Sequence, residues 1–569
     1  MNRNKNMTNS AIRTNLNPLA ALVMLAVPMV VLAAGPVVPD AGSILQQLRP
    51  SLVPAPSSSQ SGLLIEQPAG AALPVTAPFR VTTIRITGNT RFEQAALHAL
   101  VADAEGQTLT LTELLKVAAR ITDYYQKQGY PLARAVIPAQ TIRVGIVEIA
   151  VIEARYGKIS IKNGSQVDTT VLQAVMDPLQ PGQVIEQGAL ERSLLLLSDI
   201  QGVATSATLK PGSEIGTSDL EVQEDPTAAV VGNLALDNDG NQFTGRMRLG
   251  GTMIVNNPLH HADMATVSVL TSGNNMKYAR LGYETLVHGA GTRVGGSYSA
   301  LDYRLGDSLS QLDGHGSAGV GSLWLKHPFI RTPGVNLNGQ IQYEQKGLRD
   351  GIDSTGIHTD RHLNNWTASV SGDVRDRFLS GGISSWSLVL TSGRVGFDDA
   401  AALLANTASA NTQGSFNKWT ASFARLQNVS ASSGLYLSLS AQAASTNLDP
   451  AEKMVAGGPY SVRAYDMGVL SGDSGYQASV EWRVDLGSLW QGQMQAVAFV
   501  DSEHITINKN PWAAGLNDAR LSGAGVGLDW SGPDQWKAGL LLASPVGGKP
   551  ELLGTTSLLR AWIQISKGF

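Results

Sequence analysis

The residues best suited to chemistry lie in one long loop and in the strands that follow it. Residues 449–476 read DPAEKMVAGGPYSVRAYDMGVLSGDSGY. Gly457-Gly458-Pro459 imposes a defined turn, and Val462-Arg463-Ala464-Tyr465 sets one guanidinium between apolar neighbours. Downstream, Phe499-Val500-Asp501 ends a strand pattern whose alternation puts Asp501 on the polar face. Glu481 and Arg483 share the polar face of the strand predicted over Tyr476–Leu486. An Arg and several acids in this setting can hold a loop by charge-assisted hydrogen bonds. That chemistry fixes position and transfers no group.

Other candidate sites do not assemble. Gly472-Asp473-Ser474-Gly475 resembles a serine-protease nucleophile segment, but Tyr476 breaks the pattern and no suitable His precedes it. No phosphate-cradling GxxxxGK[ST] motif occurs. His260 and His261 are adjacent, so on a strand they face opposite sides and do not share a metal. Asp398-Asp399 precede an Ala-rich tract and are expected to be solvated. With no Cys in 569 residues, thiol catalysis and Cys-ligated zinc are excluded. The reading assigns no catalytic residue, metal or cofactor, and the chain is not expected to be an enzyme.

The elements that must position these residues follow from periodicity. Residues 226–569 alternate apolar and polar in segments of roughly 9–12 residues, about sixteen in all, at roughly 21 residues per strand and connection. Tyr476–Leu486 is the clearest: Ala478, Val480, Trp482, Val484 and Leu486 face one way, Gln477, Ser479, Glu481, Arg483 and Asp485 the other. Alternation alone allows a soluble sandwich, propeller or solenoid as well as a membrane barrel. No blade-like period, long loops alternating with short turns, and a last strand ending at Phe569 favour the barrel. Before it, residues 79–155 and 156–225 each read β-α-α-β-β, an internal repeat of two small α+β modules. Residues 35–78 form a Pro/Ser-rich linker with one short helix at Asp40–Leu48, capped by Asp40 and stopped by Pro50.

The apolar run Leu19–Ala34, preceded by Arg3, Lys5 and Arg13, predicts a signal peptide over residues 1–34; an N-terminal anchor helix is the alternative. Its removal takes the formal charge from −4 to −7. No basic field for nucleic acid exists. Export leaves the periplasm, the exterior or the outer membrane as destinations.

Residues 79–569 resemble the TpsB transporters of two-partner secretion, the family of FhaC and ShlB, within the BamA-like superfamily of barrels with periplasmic POTRA domains. The carrying residues are the loop-six wording Val462-Arg463-Ala464-Tyr465, with Ala464 where the family commonly has Gly, and Phe499-Val500-Asp501. Gly88-Asn89-Thr90, Tyr124-Tyr125 and Ala135–Gln140 add to it, as do Leu236–Gly240 and Asn257-Pro258-Leu259. The resemblance implies sixteen antiparallel strands behind POTRA 1 (79–155) and POTRA 2 (156–225). It implies that loop six, with Gly457, Gly458 and Arg463, folds inward onto Asp501, with Glu481 and Arg483 facing the lumen. Asp40–Leu48 would be a plug helix, and Phe569 the signal read by the barrel-assembly machinery. The implied function is ATP-independent translocation of a large TpsA-type exoprotein from periplasm to surface, with outer-membrane lipid around the barrel. The substrate is expected on an open sheet edge near Ala204–Lys210. A barrel-insertion factor of the same superfamily and a passive porin are the alternatives.

Overall fold

The computed structural model describes residues 38–48, 55–60, 62–66, 77–548, 550–554 and 556–569. The predicted signal segment lies outside the described residues.

The first helix, α1 (Ala41–Gln47), starts where Asp40 accepts the Ser43 N–H at 2.8 Å, and Ser43 returns a bond to the Asp40 backbone in a capping box. The first α+β unit places α2 (Gln94–Ala99) and α3 (Leu111–Lys127) against a three-stranded sheet. In that sheet Ile146–Ile152 is central, parallel to Thr83–Thr87 and antiparallel to Arg134–Val136. Thr110 and Glu113 cap α3, and Leu114, Val117, Ala118, Ile121 and Tyr125 form its buried stripe. Sequence reading puts Leu115 on that stripe; the structure puts Val117 there. Glu153 knots the unit. Its carboxylate accepts from the N–H groups of Thr90 and Arg91 and from the Tyr125 hydroxyl, at 2.7, 2.9 and 2.7 Å. Burial pushes its pKa up, but these donors and the Thr90 hydroxyl outweigh burial and hold it below the usual value. The Gly88-Asn89-Thr90 turn and Tyr125 therefore meet at one acid.

The second unit packs α4 (Thr169–Met176) and α5 (Gln187–Ser198) on a sheet of order Leu63–Ile65, Val203–Pro211, Thr217–Pro226, Arg155–Asn163. The edge expected to be open at Ala204–Lys210 is occupied: linker residues Leu63–Ile65 lie parallel to it. Within this sheet Glu224 is fully buried, bonded to the Thr205 hydroxyl at 2.8 Å. Burial pushes its carboxyl up to about 7. Because the folded value lies above the unfolded one, folding costs nothing extra below pH 4. The penalty grows as pH rises towards 7, to about 3 kcal/mol. Protease susceptibility of residues 155–226 in the intact protein should rise from pH 5 to pH 8, and Glu224→Gln should flatten that rise.

The barrel strands β1 to β16 are Val230–Asp237, Arg248–Asn256, Met264–Thr271, Met276–His288, Thr292–Arg304, Gly314–Arg331, Val335–Ile352, Ile357–Asp376, Gly382–Phe397, Gly414–Asn428, Ser433–Ala444, Ser474–Leu489, Gly492–Thr506, Asp518–Ser531, Trp536–Pro545 and Arg560–Gly568. Each pairs antiparallel with the next, and β1 pairs with β16 to close the ring. Among the described residues no helix is long and apolar enough to cross a membrane; the strands cross it. Val480, Trp482, Val500, Val526 and Leu528 point outward and exposed, while Ser479, Glu481, Phe499 and Asp501 point inward and buried. That division is the lipid face and lumen of a membrane barrel. β8 runs 20 residues, longer than the expected segments and longer than the ~9–11 needed to span a bilayer, so the central strands project beyond it. Phe569 exchanges two backbone hydrogen bonds with Gly232 at the seam, both 3.0 Å. The second unit is tied to the barrel rim by Asp199, which takes a two-pronged pair from Arg331 at 2.7 and 2.8 Å.

Candidate functional site in the barrel lumen

Loop six, residues 445–473 between β11 and β12, folds into the lumen. It carries a 3-10 turn at Pro450–Glu452 and a short ladder, Met454–Ala456 with Leu470–Gly472. Gly457 and Gly458 take φ of +81° and +111°, open to glycine without strain, and turn the tip back. Arg463 then meets β13. Its Nε donates to Asp501 Oδ2 at 2.9 Å and its Nη2 to Asp501 Oδ1 at 2.7 Å; its backbone N–H also reaches Oδ2 at 3.1 Å. Nη1 donates to Glu481 at 2.7 Å and Nη2 to Ser479 at 2.9 Å. Arg483 holds the other oxygen of Glu481 at 2.6 and 2.9 Å. The Arg463 guanidinium lies 3.5 Å from the Phe499 ring centroid, a cation–π contact. The Trp562 indole N–H donates to the Arg463 carbonyl at 2.7 Å.

Arg463, Phe499, Asp501, Glu481 and Arg483 are thus one cluster. Val462, Ala464 and Tyr465 bury beside it in an apolar patch with Leu521 and Ala543. Ala464 is not among the residues with positive φ, so the backbone there needs no glycine. Its methyl fills space left by Gly523 of β14, where a Cβ would lie 2.5 Å from it. Phe569 lies apart from the cluster, at the seam.

A second cluster, not anticipated from sequence, centres on Arg361 of β8. Its three nitrogens each hold a carboxylate: Asp40 before α1, Asp350 of β7, and Asp449 of loop six, at 2.5, 2.5 and 2.7 Å. Asp350 also accepts the Ala41 N–H at 2.8 Å and the Tyr303 hydroxyl at 2.6 Å. Beside it, Glu452 pairs with Lys346 and, at 2.6 Å, with Lys418. Helix α1 therefore lies in the lumen, with Ile44 buried among Phe243, Leu301, Leu348 and Leu363. It touches loop six directly: Gln46 donates to the Ala451 carbonyl, and a Cβ on Gly42 would lie 2.6 Å from the Ala451 nitrogen. Asp40 was legible as a cap; its second oxygen's partner, 321 positions away, was not.

The rejected motifs have structural roles. Asp473 is fully buried, accepting the Leu448 and Lys509 N–H groups at 3.0 and 2.7 Å. Asp398-Asp399 are exposed to solvent, as expected, and also structural: Asp399 caps helix α6 (Ala400–Thr407) and Asp398 pairs with His362 at 2.8 Å. Among the described residues no group of His, Asp and Glu could hold a metal ion.

A closed sixteen-stranded barrel with a lipid-facing exterior, a filled lumen and two N-terminal α+β units defines an outer-membrane barrel of the POTRA-bearing class. The family model described as haemolysin secretion/activation protein ShlB/FhaC/HecB matches residues 216–530, and the ShlB-type POTRA domain matches residues 79–154. The heme/hemopexin transporter protein HuxB of Haemophilus influenzae is 24% identical, over 93% of this chain and 95% of its own. The outer membrane transporter CdiB of Escherichia coli is 27% identical, over 82% and 79% respectively. A solved structure of CdiB from Escherichia coli shares the fold at a TM-score of 0.70, with 22% identity over 93% of this chain and 96% of that one. The chain belongs to the TpsB family of two-partner secretion transporters, and it is a protein of the outer membrane with its POTRA domains in the periplasm.

Proposed function

We propose that this transporter recognises one large TpsA-type exoprotein in the periplasm and passes it, extended, through the barrel lumen to the cell surface. The observation that carries the reading is the way the lumen is filled. Helix α1 and loop six are separate chain segments held by side-chain contacts, ionic (Arg361 with Asp40, Arg463 with Asp501) and apolar (Ile44, Val462, Tyr465), not by a ladder continuous with the wall. Such contacts can be exchanged for those of a passing polypeptide without unfolding the barrel. The periplasmic sheets can take an extended chain by adding a strand. No P-loop motif is present in the sequence, and folding of the exoprotein outside supplies direction without ATP. Loop six, pinned through Arg463 and Asp501, holds the resting or conducting lumen conformation, and Phe569 at the seam serves recognition by the barrel-assembly machinery during insertion into lipid.

Co-expression with an exoprotein bearing an N-terminal secretion domain, encoded next to this chain, tests the reading. The exoprotein should appear in the culture medium only when the transporter is present. Its retention in the periplasm would overturn the reading.

A further inference from the structure

The lipid face of the barrel is hollowed over four neighbouring strands, β4 to β7. The hollow has a volume of about 630 Å³ and is lined by Leu281, Tyr283, Tyr298, Gly321, Leu323 and Gln345; that volume suits a bound small molecule. Leu281, Tyr298 and Leu323 are each more than half exposed, so the lining faces lipid and not the lumen. Gly321 opens the floor. It pairs with Tyr298 on one side and Gln345 on the other, and a Cβ there would meet nothing within 4 Å. Three strand spacings make the hollow about 14 Å across, wider than one acyl chain.

Polar groups stand where the hollow meets the outer surface. Arg192 of α5 donates to the carbonyls of Ala290 and Pro328, which marks the periplasmic ends of these strands. Lys277 and Arg349 lie towards the opposite, external ends. They share one cross-strand row, Lys277 with Asp302, Asp302 with Ser317, and Ser317 with Arg349, which sets them about 14 Å apart. Both are exposed. Among the described residues Lys277 has no ion pair, and Arg349 reaches Asp360 only at 4.0 Å. Both cations therefore keep free N–H donors. Lower on the wall, Gln345 turns an exposed amide to lipid, and that amide has no hydrogen bond among the described residues. An amide in that position is costly unless the lipid supplies its partner.

We propose that this face binds one lipid A-type glycolipid of the external leaflet. Its acyl chains lie side by side in the hollow, a chain hydroxyl or amide meets Gln345, and its phosphates rest on Lys277 and Arg349. Asp302 and Ser317, between the two cations, suit sugar hydroxyls. The headgroup of a single phospholipid does not reach both cations, and its tails carry no polar group for Gln345; a phosphorylated disaccharide with hydroxylated chains meets both conditions. The proposal rests on the outer-membrane location and not on the transport reading.

Native mass spectrometry of the delipidated full-length protein, titrated with purified bisphosphorylated lipid A, tests it. The wild type should bind one lipid A about tenfold more tightly than phosphatidylglycerol or better. Gly321→Phe, whose Cβ enters open space, should weaken lipid A about tenfold while the barrel keeps its heat-resistant folded mobility on gels. Lys277→Ala/Arg349→Ala should weaken bisphosphorylated lipid A by a similar factor and leave the dephosphorylated form unchanged; a merely damaged wall would weaken both. Lipid A bound no better than phosphatidylglycerol, or equally by wild type and Gly321→Phe, would overturn the proposal. So would a dimer of this chain that Gly321→Phe dissociates, since a second copy would then occupy the face.

Discussion

Replacing Arg463 with Ala is expected to cut secretion about tenfold or more while the barrel still inserts. Arg463 supplies the guanidinium that neutralises Asp501, a carboxylate with no exposed surface, and one oxygen of Glu481. Removing it leaves Asp501 the Ser479 hydroxyl at 2.8 Å and one backbone N–H. An uncompensated buried charge costs about 3–5 kcal/mol, and that cost falls on the seated form of the loop tip. Other ties hold the loop's remainder: Arg560 and Arg246 on Asp466, and Lys418 on Glu452. The tip should therefore shift while the loop stays inside. Insertion is spared because the sixteen-strand ladder does not run through Arg463. Asp501→Ala should act in the same direction, and the double variant should be no worse than the more severe single one, since both remove one interaction. Arg463→Lys should fall between, because an ammonium cannot bridge both carboxylate oxygens in a fork. Exoprotein in the medium, normalised to folded barrel in the membrane, is the measurement. Wild-type secretion by both alanine variants would sink the pairing.

The second large effect concerns helix α1. Deleting residues 36–50 should raise ion conductance in planar bilayers several-fold, because helix α1 within that segment lies across the lumen at Phe243, Leu301 and Leu348. Gly42→Val is the gentler probe. Its Cβ would meet the backbone of Ala451, 2.6 Å from the nitrogen, so α1 must lift from loop six while Asp40 keeps its reach to Arg361. Conductance should rise in this variant too, by less than in the deletion. Unchanged conductance in the deletion would remove the plug assignment.

Much of this was legible in the residues, for identifiable reasons. Strict alternation in Tyr476–Leu486 separated lumen from lipid before any coordinates, so Glu481 and Arg483 fell on the inner face. Asp501 followed from the same parity, and loop-six wording pointed Arg463 at it. Arg361 was not legible. Its three carboxylates come from Asp40, Asp350 and Asp449, and no local pattern links residues that far apart. Leu63–Ile65 escaped because three residues carry too little alternation to distinguish a strand from linker. The excess length of β8 escaped because residues 358–362 (HTDRH) are polar on both faces, so the alternation that marks a strand stops there. Ala464, a departure from the usual wording, is explained only by Gly523 across the barrel wall. Mean hydropathy of −0.01 concealed the membrane face altogether, since outward apolar and inward polar residues cancel in pairs.

The central claim is that the lumen itself carries the exoprotein. It is tested most directly with the purified transporter in liposomes, given an unfolded exoprotein with its N-terminal secretion domain and no nucleotide. The account predicts exoprotein on the far side of the membrane, protected from added protease, with the Arg463→Ala variant deficient. An exoprotein that stays fully protease-accessible with the wild-type transporter would contradict it.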